Sequence, residues 1–479
     1  MLLLTALVVA FAGAAVVIAA KPLPGVIGPD NQIQPSGRKL DPVGKLTKLG
    51  NLPAGGALTV DGRFAWTLSA GRGKNDVRIV RVLGKRRKQV GKVVQKIPMP
   101  GLSGGIAMAP DGKAAYVSGT PQPSSTANRP PADVPGASGD VIHVFNLKKK
   151  SGKAKRDGVI EVPPPEGTPP PQSFPPTNTT PLSWPRDVAV SADGTTLLAA
   201  LNLAHRGAIV DLASREVRYT PAGRYPYGAA ITKDGKLGLI SNEADGTVTV
   251  LDLASGEEVR VITVGPHLSH PEGIAIDPRR PLAYVAVTHQ DLIAVINTKR
   301  LEVVRTLSVE RPQGIGTAPT HVSVTADGCR LISSNSGEDA VAIFALSKQR
   351  RCDPAAGKRN GPNRRALADR ILDHESRRGI DQAESEKAET AEFFGEEAEE
   401  EAEEQVEANP ARAKSKRWQL LGRVPVGSYP TAAFATPQKP SRRRLVWVTA
   451  KGVGVGPNDA EPGETLEEDP GSATGGSSS

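Results

Sequence analysis

The strongest constraint on this chain is a segment that recurs along its length. Its clearest copies open with prolines at positions 185, 226, 271 and 319, which are spaced by 41, 45 and 48 residues. Less regular copies open at Pro53, Gly101 and Pro430. Sequence repeats with periods of roughly 20 to 50 residues are typical of solenoids, arrays and propellers, in which each copy is one small structural unit. We therefore expect a fold made of stacked, similar units.

The copy that opens at Pro226 shows what one unit contains. Small, apolar and polar residues alternate through four short segments, 228–232, 237–240, 247–251 and 257–264. Lys233-Asp234-Gly235 and Asp245-Gly246 separate the first three segments and are typical of tight turns. The pattern predicts a four-stranded antiparallel meander. Because one such sheet cannot bury both of its faces, the copies are expected to stack radially as the blades of a β-propeller.

The same Asp-Gly turn recurs at matching positions of other copies. It occurs at Asp61, Asp111, Asp193, Asp234 and Asp327. We therefore interpret these carboxylates as turn residues rather than as catalytic acids or bases. Asn202, Asn242 and Asn335 end the second segment of their copies, and we expect them to hydrogen-bond the turn that follows.

Together the copies predict an all-β fold over residues 40–458, a seven-bladed β-propeller of four-stranded antiparallel blades. The last blade is expected to be incomplete, because only 432–435 and 445–449 have the pattern of strands there. Residues 43–49 are expected to add its outer strand and so to close the ring by joining both ends of the chain.

The copies resemble the YVTN-type β-propeller repeat of bacterial surface and periplasmic proteins. The shared pattern is a proline followed by glycine and alanine, an Asp-Gly turn, a V-x-N segment and then V-x-V-x-D. Residues 239–242 and 248–252 match this pattern best, and the resemblance covers 40–346 and 418–458. Arg279-Arg280-Pro281 departs from it, because these residues stand where other copies have Asp-Gly.

A closer resemblance is to the propeller half of bacterial propeller–phosphoesterase fusions. It is carried by residues 23–66 and by KGVGVGPN from Lys451. In that family a metal-dependent phosphoesterase-like domain follows the propeller. This chain has instead a Gly/Ser-rich segment at 459–479, which we expect to be a disordered tail. The family's catalytic residues have no counterparts here, and none is assigned.

Two long insertions interrupt the predicted blades. Residues 148–181 begin basic and end rich in proline, which is typical of an extended surface linker between the second and third blades. Residues 347–415 include a stretch rich in Ala, Glu, Arg and Lys that lacks sustained apolar periodicity, and this predicts an exposed helical or disordered insertion in the sixth blade. Residues 418–426 are then expected to supply the outer strand of that blade.

The first twenty residues are apolar and contain no charge. They have two interpretations, a secretory signal peptide or an uncleaved N-terminal membrane anchor, and we favour the signal peptide. Both interpretations predict a secreted, periplasmic or cell-surface protein. In such a protein Cys329 and Cys352 are candidates for a disulfide, with two free or buried thiols as the alternative.

The net charge of +9 is unevenly distributed, with basic residues crowded at 78–96 and 148–156 and nine glutamates in 391–407. Such asymmetry is more typical of solvated loops than of a nucleic-acid interface, so we expect no nucleic-acid partner. The basic segments are compatible with an anionic cell-surface polymer. A membrane is expected as a partner only through an uncleaved N-terminus.

No catalytic motif for a serine hydrolase, zinc protease or nucleoside triphosphatase is present, so we assign no catalytic or cofactor-binding residue. His267, His270, His289 and His321 are expected near one face of the propeller, and a divalent metal site there is the alternative to ordinary loop histidines. The function predicted is non-catalytic binding or scaffolding, with a protein, peptide or glycan ligand at the channel mouth. The alternative is a hydrolase-associated propeller, either the accessory half of a metal-dependent phosphoesterase or a lactonase-like enzyme.

Overall fold

The computed structural model describes residues 40–71, 75–84, 87–121, 139–170, 180–311, 316–347, 352, 417–438 and 442–451. Within these residues, strands form six four-stranded antiparallel sheets and one two-stranded sheet. Each sheet is a meander in which strands adjacent in sequence are hydrogen-bonded. The prediction of a β-propeller with an incomplete last blade is therefore confirmed.

The strands follow one another blade by blade. The first three blades contain β1 (Pro53–Leu58), β2 (Phe64–Ser69), β3 (Asp76–Arg81) and β4 (Lys92–Pro98); β5 (Gly101–Met108), β6 (Ala114–Thr120), β7 (Val141–Leu147) and β8 (Ala154–Glu161); and β9 (Pro185–Val190), β10 (Thr196–Leu201), β11 (Arg206–Asp211) and β12 (Val217–Pro221). The next three contain β13 (Pro226–Ile231), β14 (Leu237–Asn242), β15 (Thr247–Asp252) and β16 (Glu258–Thr263); β17 (Pro271–Ile276), β18 (Leu282–Val287), β19 (Leu292–Asn297) and β20 (Glu302–Ser308); and β21 (Pro319–Val324), β22 (Arg330–Asn335), β23 (Ala340–Ala345) and β24 (Leu420–Pro425). The seventh blade contains β25 (Pro430–Ala435) and β26 (Leu445–Thr449), and short 3₁₀ turns occur at Arg87–Gln89 and Thr288–Gln290.

The first strand of every blade lies on the inside of the ring. These inner strands contact one another in chain order from β1 to β25, and β25 contacts β1 in turn. The last junction also carries a hydrogen bond, in which the Thr431 hydroxyl donates to the carbonyl oxygen of Pro53 over 3.0 Å. The ring is thus closed between the seventh and first blades.

The hydrophobic core consists of layers between blades rather than one central mass. Each of six clusters of buried residues joins two successive blades, as where Leu239 and Val250 of the fourth blade pack with Val285 and Ile296 of the fifth. A single blade could not bury these side chains, because both faces of its sheet are apolar. The stacking of blades therefore supplies the hydrophobic stabilisation.

The repeated Asp-Gly turns have the structure that their sequence predicts. In all five, the aspartate carboxylate accepts a hydrogen bond from the N–H group two residues later, over 2.8 to 3.2 Å. The glycine that follows has a φ between +64° and +78°. The structural interpretation of these carboxylates is confirmed.

A second set of hydrogen bonds joins successive blades where each inner strand begins. In six blades the residue before the opening proline has a positive φ; these residues are Leu52, Trp184, Tyr225, His270, Ala318 and Tyr429. At four junctions its N–H donates to a side chain that immediately precedes the third strand of the previous blade. The pairs are Trp184 with Asp140 (2.9 Å), Tyr225 with His205 (3.1 Å), Ala318 with Asp291 (2.8 Å) and Tyr429 with Asp339 (2.9 Å). One blade thereby fixes where the next inner strand starts.

Two predictions about the blade edges need correction. Residues 43–49 form no strand, and Val43 N–H donates instead to the Pro425 carbonyl oxygen at the end of the sixth blade, over 3.3 Å. The linker predicted for 148–181 contains β8, the outer strand of the second blade, which pairs with β7. The proline-rich composition of 163–181 obscured this short alternating segment.

The other predicted segments lie largely outside the described residues. Residues 1–20, 459–479 and all but two residues of 347–415 are among those that the structure does not describe. The expected return of the chain after that insertion is confirmed, because β24 pairs with β23 as the outer strand of the sixth blade.

We expect Asp291→Ala to destabilise the propeller by about 2 kcal/mol or more. The Asp291 carboxylate accepts hydrogen bonds from the N–H groups of Thr317 and Ala318 and from the Thr317 hydroxyl, and its own φ is +48°. Alanine would lose these bonds and would be strained at a positive φ. Urea unfolding followed by circular dichroism measures the change in the free energy of unfolding.

Asp291→Asn is the matched control, because asparagine keeps an acceptor oxygen and tolerates a positive φ. It should recover most of the lost stability. An alanine variant within about 0.5 kcal/mol of the wild type, the range of ordinary surface substitutions, would refute this role for the junction.

Candidate ligand-binding site at the channel mouth

The position that follows the opening proline is polar or aromatic in several blades. Because the inner strands all begin at the same end of the ring, these side chains lie around one mouth of the channel. The third, fourth and fifth blades contribute Arg186, Tyr227 and Glu272 in succession. Thr320 and Thr431 occupy the position in the next two blades. Ionisable groups are thus concentrated on one side of the mouth.

Arg186, Tyr227 and Glu272 interact in succession across three blades. The Arg186 guanidinium lies over the Tyr227 ring, 4.1 Å from its centroid, and donates to the phenol oxygen. The Tyr227 hydroxyl in turn interacts with the Glu272 carboxyl group, and the Tyr227 and Thr288 hydroxyls both act to lower the Glu272 pKa. The mouth thus places a cation, a phenol and a carboxyl group in succession.

A close approach of two inner strands makes this succession of contacts feasible. A β-carbon added to Gly228 in β13 would clash with the Glu272 carbonyl oxygen in β17. Gly228 N–H donates to the Ser241 hydroxyl of its own blade over 2.8 Å. Ser241 donates in turn to the Glu272 carbonyl oxygen over 2.6 Å. Glycine at this position therefore sets the spacing between Tyr227 and Glu272.

Two further carboxylates surround these residues. Asp187 accepts hydrogen bonds from the N–H groups of Val188 and Ala229, over 2.9 and 3.1 Å. Glu243 directly follows β14, and its Oε2 atom accepts a hydrogen bond from the Asn202 side chain over 3.3 Å. Three carboxyl groups therefore share the mouth with the Arg186 guanidinium.

Burial controls the electrostatics of the mouth. Glu272 is only 8% exposed, and burial, with a further contribution from the Glu243 charge, raises the pKa of its carboxyl group to about 8. Burial also raises the pKa of Asp187 and takes that of Tyr227 well above its usual value. For Arg186 burial opposes the charge, but Tyr227 and the surrounding carboxylates outweigh burial and raise the pKa. Arg186 is therefore a permanent cation, whereas Glu272 is largely protonated at neutral pH.

The four candidate histidines do not form one site. His321 packs against the Phe434 ring, with ring centroids 4.9 Å apart, and its Nδ1 atom is buried without a hydrogen-bond partner in the described structure. His267 lies at the surface and contacts the Arg224 guanidinium over 3.3 Å. Only His270 and His289 contact each other, with ring centroids 4.1 Å apart. The sequence predicted that the loops carrying these histidines share one face of the propeller. It did not predict that two of the four imidazole rings point elsewhere.

His270 instead joins two carboxylates. Among the described residues, Glu243, His270 and Glu272 are the group of three whose candidate metal-binding atoms all lie within 4.8 Å of one another. His270 Nδ1 is 3.5 Å from Glu243 Oε1. The chemistry of this group, an imidazole and two carboxylates, suits either a hydrogen-bonded polar ligand or a cation.

Sequence reasoning missed most of the mouth. The sequence pattern did not single out the four residues of the mouth, which are Arg186, Tyr227, Glu243 and Glu272. The opening proline was used only to align the copies, and the residue that follows it was not compared between copies. The sequence nevertheless contained an indication of the site. The residue after the opening proline is arginine, tyrosine and glutamate in three successive blades, whereas most other inner-strand positions hold small or apolar residues. Asn242 and Asn335 do bond within their own turns, to Thr247 and Glu338, whereas Asn202 reaches the mouth through Glu243.

The two cysteines lie beside the sixth blade. Cys329 and Cys352 are joined as a disulfide, with their Cα atoms 5.3 Å apart. The bond ties the turn between β21 and β22 to the chain that follows β23. In the part of the chain that the structure describes, no helix is long and apolar enough to cross a membrane.

The fold and its site define this chain as a β-propeller with a polar, partly buried channel mouth. No protein-family model matches the sequence, and no curated protein does. Among solved structures it is similar to a chain of Kuenenia stuttgartiensis hydrazine synthase, with 15% sequence identity and a TM-score of 0.49. That similarity covers 85% of this chain and 98% of the other. The YVTN-type repeat and the relation to phosphoesterase fusions stay predictions from the residue pattern.

Stability is expected to fall in acid because of two buried histidines. Burial lowers the pKa of His143 and of His321 from 6.5 to about 4. Between these pH values each histidine binds a proton in the unfolded chain but not in the folded chain, so the two histidines lower the free energy of unfolding as the pH falls from about 6.5 to 4. The raised pKa of Glu272 contributes a slope of the opposite sign, which is smaller because it comes from one group. Urea unfolding at a series of pH values measures this slope.

His321→Leu should have a shallower slope over the same pH range, because one of the two groups is removed. His289→Gln, which changes an exposed histidine, is the control and should keep the wild-type slope. Equal slopes for His321→Leu and the wild type would show that the His321 imidazole is not the buried neutral group described above.

Proposed function

We propose that this chain is an extracytoplasmic, non-catalytic binding propeller that recognises a segment of a protein or peptide at the channel mouth. The observation that carries the proposal is the chain of contacts from Arg186 through Tyr227 to Glu272, partly buried at the junction of three blades. Polar groups of this kind at the centre of a concave surface fix the orientation of a ligand and provide specificity.

The surroundings of the mouth support a polypeptide ligand. Leu52, Leu268 and Tyr429 are exposed by 41%, 55% and 42%, and all three lie in loops that lead into inner strands. Apolar and aromatic groups around a specific polar centre are typical of protein interfaces, in which a few residues contribute most of the affinity. Exposed leucines favour a polypeptide over a glycan, because glycans offer few aliphatic groups to cover them.

The binding test uses an immobilised positional-scanning peptide library and an oligosaccharide array as probes. We expect the wild-type protein to select peptides, and Arg186→Gln and Tyr227→Phe to weaken the selected interaction at least tenfold. Arg260→Gln is the matched control, because Arg260 lies exposed on the outer strand β16 and should bind like the wild type.

Three outcomes would contradict the proposal. Selection of oligosaccharides alone would exclude a polypeptide ligand. Equal binding by Arg186→Gln and the wild type would exclude the mouth as the site. Hydrolysis of bis(p-nitrophenyl) phosphate by the purified chain with added Mn²⁺, at a rate lost in the Glu243→Gln variant, would favour the alternative of a hydrolase.

The proposed location rests on two features. The uncharged apolar run at 1–20, outside the described residues, has the composition of a secretory segment. The disulfide between Cys329 and Cys352 is of a kind that forms and persists in oxidising compartments. Both features support export from the cytoplasm.

Expression of the whole chain in a Gram-negative bacterium tests this location. We expect the protein in the periplasmic fraction, with an N-terminus near residue 21 by mass spectrometry and with both cysteines resistant to alkylation before reduction. An intact N-terminus in the membrane fraction would indicate the anchor instead. A cytoplasmic protein with both thiols alkylated would refute export.

A further inference from the structure

The channel mouth contains three side chains that can donate to one metal ion. Glu243 follows the second strand of the fourth blade, whereas His270 and Glu272 flank the proline that opens the fifth blade. Their candidate donor atoms lie within 4.8 Å of one another. The junction between two blades therefore brings together residues that are separated along the chain by two strands and their loops.

Backbone and ring contacts fix the orientation of His270. Its N–H donates to the Glu243 carbonyl oxygen over 3.2 Å, and its own carbonyl oxygen accepts from Thr288 N–H over 2.9 Å. Its φ of +52° turns the imidazole towards the mouth, where the ring packs on that of His289. His289 is held in turn by its Nδ1 contact with the Leu268 carbonyl oxygen over 3.1 Å. Preorganisation of this kind lowers the cost of forming a metal site.

Residues outside the group interact with its two carboxylates. The Asn202 amide donates to Glu243 Oε2, which leaves Oε1 directed towards His270. Glu272 is 8% exposed and interacts electrostatically with the Tyr227 and Thr288 hydroxyls, which act to lower its pKa. Such outer contacts are a regular feature of metal sites, in which they hold the ligands in a productive orientation.

The separation of His270 and Glu243 is that of two ligands on one ion. Their Nδ1 and Oε1 atoms are 3.5 Å apart, which is long for a hydrogen bond between nitrogen and oxygen. Two atoms that each lie about 2.1 Å from a tetrahedral Zn²⁺ ion are separated by about 3.4 Å. A shared ion would thus fit between them with little movement of either side chain.

The charges of the mouth favour a cation. Asp187, Glu243 and Glu272 surround one guanidinium, that of Arg186, and this cation is already engaged with the Tyr227 ring and hydroxyl. A divalent ion would take the place of the proton that Glu272 holds at neutral pH and would balance the negative charge that Arg186 does not. The imidazole nitrogen favours a transition metal over Mg²⁺ or Ca²⁺, which prefer oxygen ligands.

We propose that Glu243, His270 and Glu272 bind one divalent transition-metal ion of the zinc type at the channel mouth. Three protein ligands leave a coordination position that water or a donor atom of a ligand can occupy. The site shares Glu272 with the proposed polypeptide site, but all three of its ligands are side chains of this chain, so metal binding requires no polypeptide.

The test is metal binding by the whole protein after treatment with EDTA and removal of the chelator. Competition with a chromophoric chelator measures the affinity for Zn²⁺, and Co²⁺ absorption in the visible range reports the coordination geometry. We expect one equivalent of Zn²⁺ in the wild type. Glu243→Gln and His270→Asn should each lower the affinity at least tenfold, in line with the known sensitivity of metal sites.

His267→Asn is the control, because His267 is exposed nearby but does not belong to the group. It should keep the wild-type affinity and the wild-type Co²⁺ spectrum. Glu272 is buried, so zinc binding by Glu272→Gln is interpreted only if its circular dichroism spectrum matches that of the wild type. His270 is less buried, and His270→Asn provides the test if Glu272→Gln does not fold. The proposal fails if the wild type binds no Zn²⁺, or if His267→Asn lowers the affinity as much as His270→Asn.

The peptide-binding measurement, repeated in EDTA, separates this proposal from the proposed function. Peptide binding that survives EDTA in a protein without Zn²⁺ affinity would refute the metal site alone. Stoichiometric Zn²⁺ binding by a protein that selects no peptide would refute the polypeptide ligand alone.

Discussion

The rest of this structure depends on the hydrogen bonds that start each inner strand from the preceding blade. At four junctions a side chain just before the third strand of one blade accepts a hydrogen bond from the backbone N–H of the residue that precedes the opening proline of the next blade. Both partners have a positive φ, a conformation that is costly unless surrounding contacts hold it. The cost is offset because each such bond satisfies a backbone donor and sets the position of an entire blade. The apolar layers between blades can then interlock in one register.

The channel mouth follows from this geometry. Once the inner strands begin at one level, the residues after successive prolines face a common opening, and the glycine at position 228 allows two of those strands to approach closely. The approach desolvates Glu272 beside Glu243, which is why the pKa of the Glu272 carboxyl group rises. Three carboxyl groups and one guanidinium in this small space are poorly hydrated. A ligand or an ion that satisfies them would therefore be bound in an environment where electrostatic interactions are strong.

Much of the fold could be predicted because it is encoded locally and repeatedly. An aspartate and a glycine at the correct spacing suffice to specify a turn, and all five such turns have the expected hydrogen bond. The errors occurred at the blade edges, where the pattern is weak. β8 alternates in a segment whose later prolines suggested a linker. Residues 43–49 pack against the seventh blade but form no strand of it, and their backbone and side-chain hydrogen bonds go to the sixth and first blades. Outer strands such as β16 are mostly exposed, whereas inner strands pack against the inner strands of neighbouring blades, so the sequences of outer strands are less constrained.

The sequence by itself determined the kind of unit, the order of strands within it and the positions of its turns, because these depend on residues that are close together in the chain. Only the tertiary structure decided which side chains meet at the channel mouth. Arg186, Tyr227 and Glu272 are separated by 41 and 45 residues, and each looks like an isolated substitution in its own repeat. Closing the ring brings their strands side by side, whereas it directs His321 into the packing between blades and leaves His267 at the surface. The direction of a side chain depends on the backbone angles and neighbours at its strand, and those are set by contacts between blades rather than within one repeat.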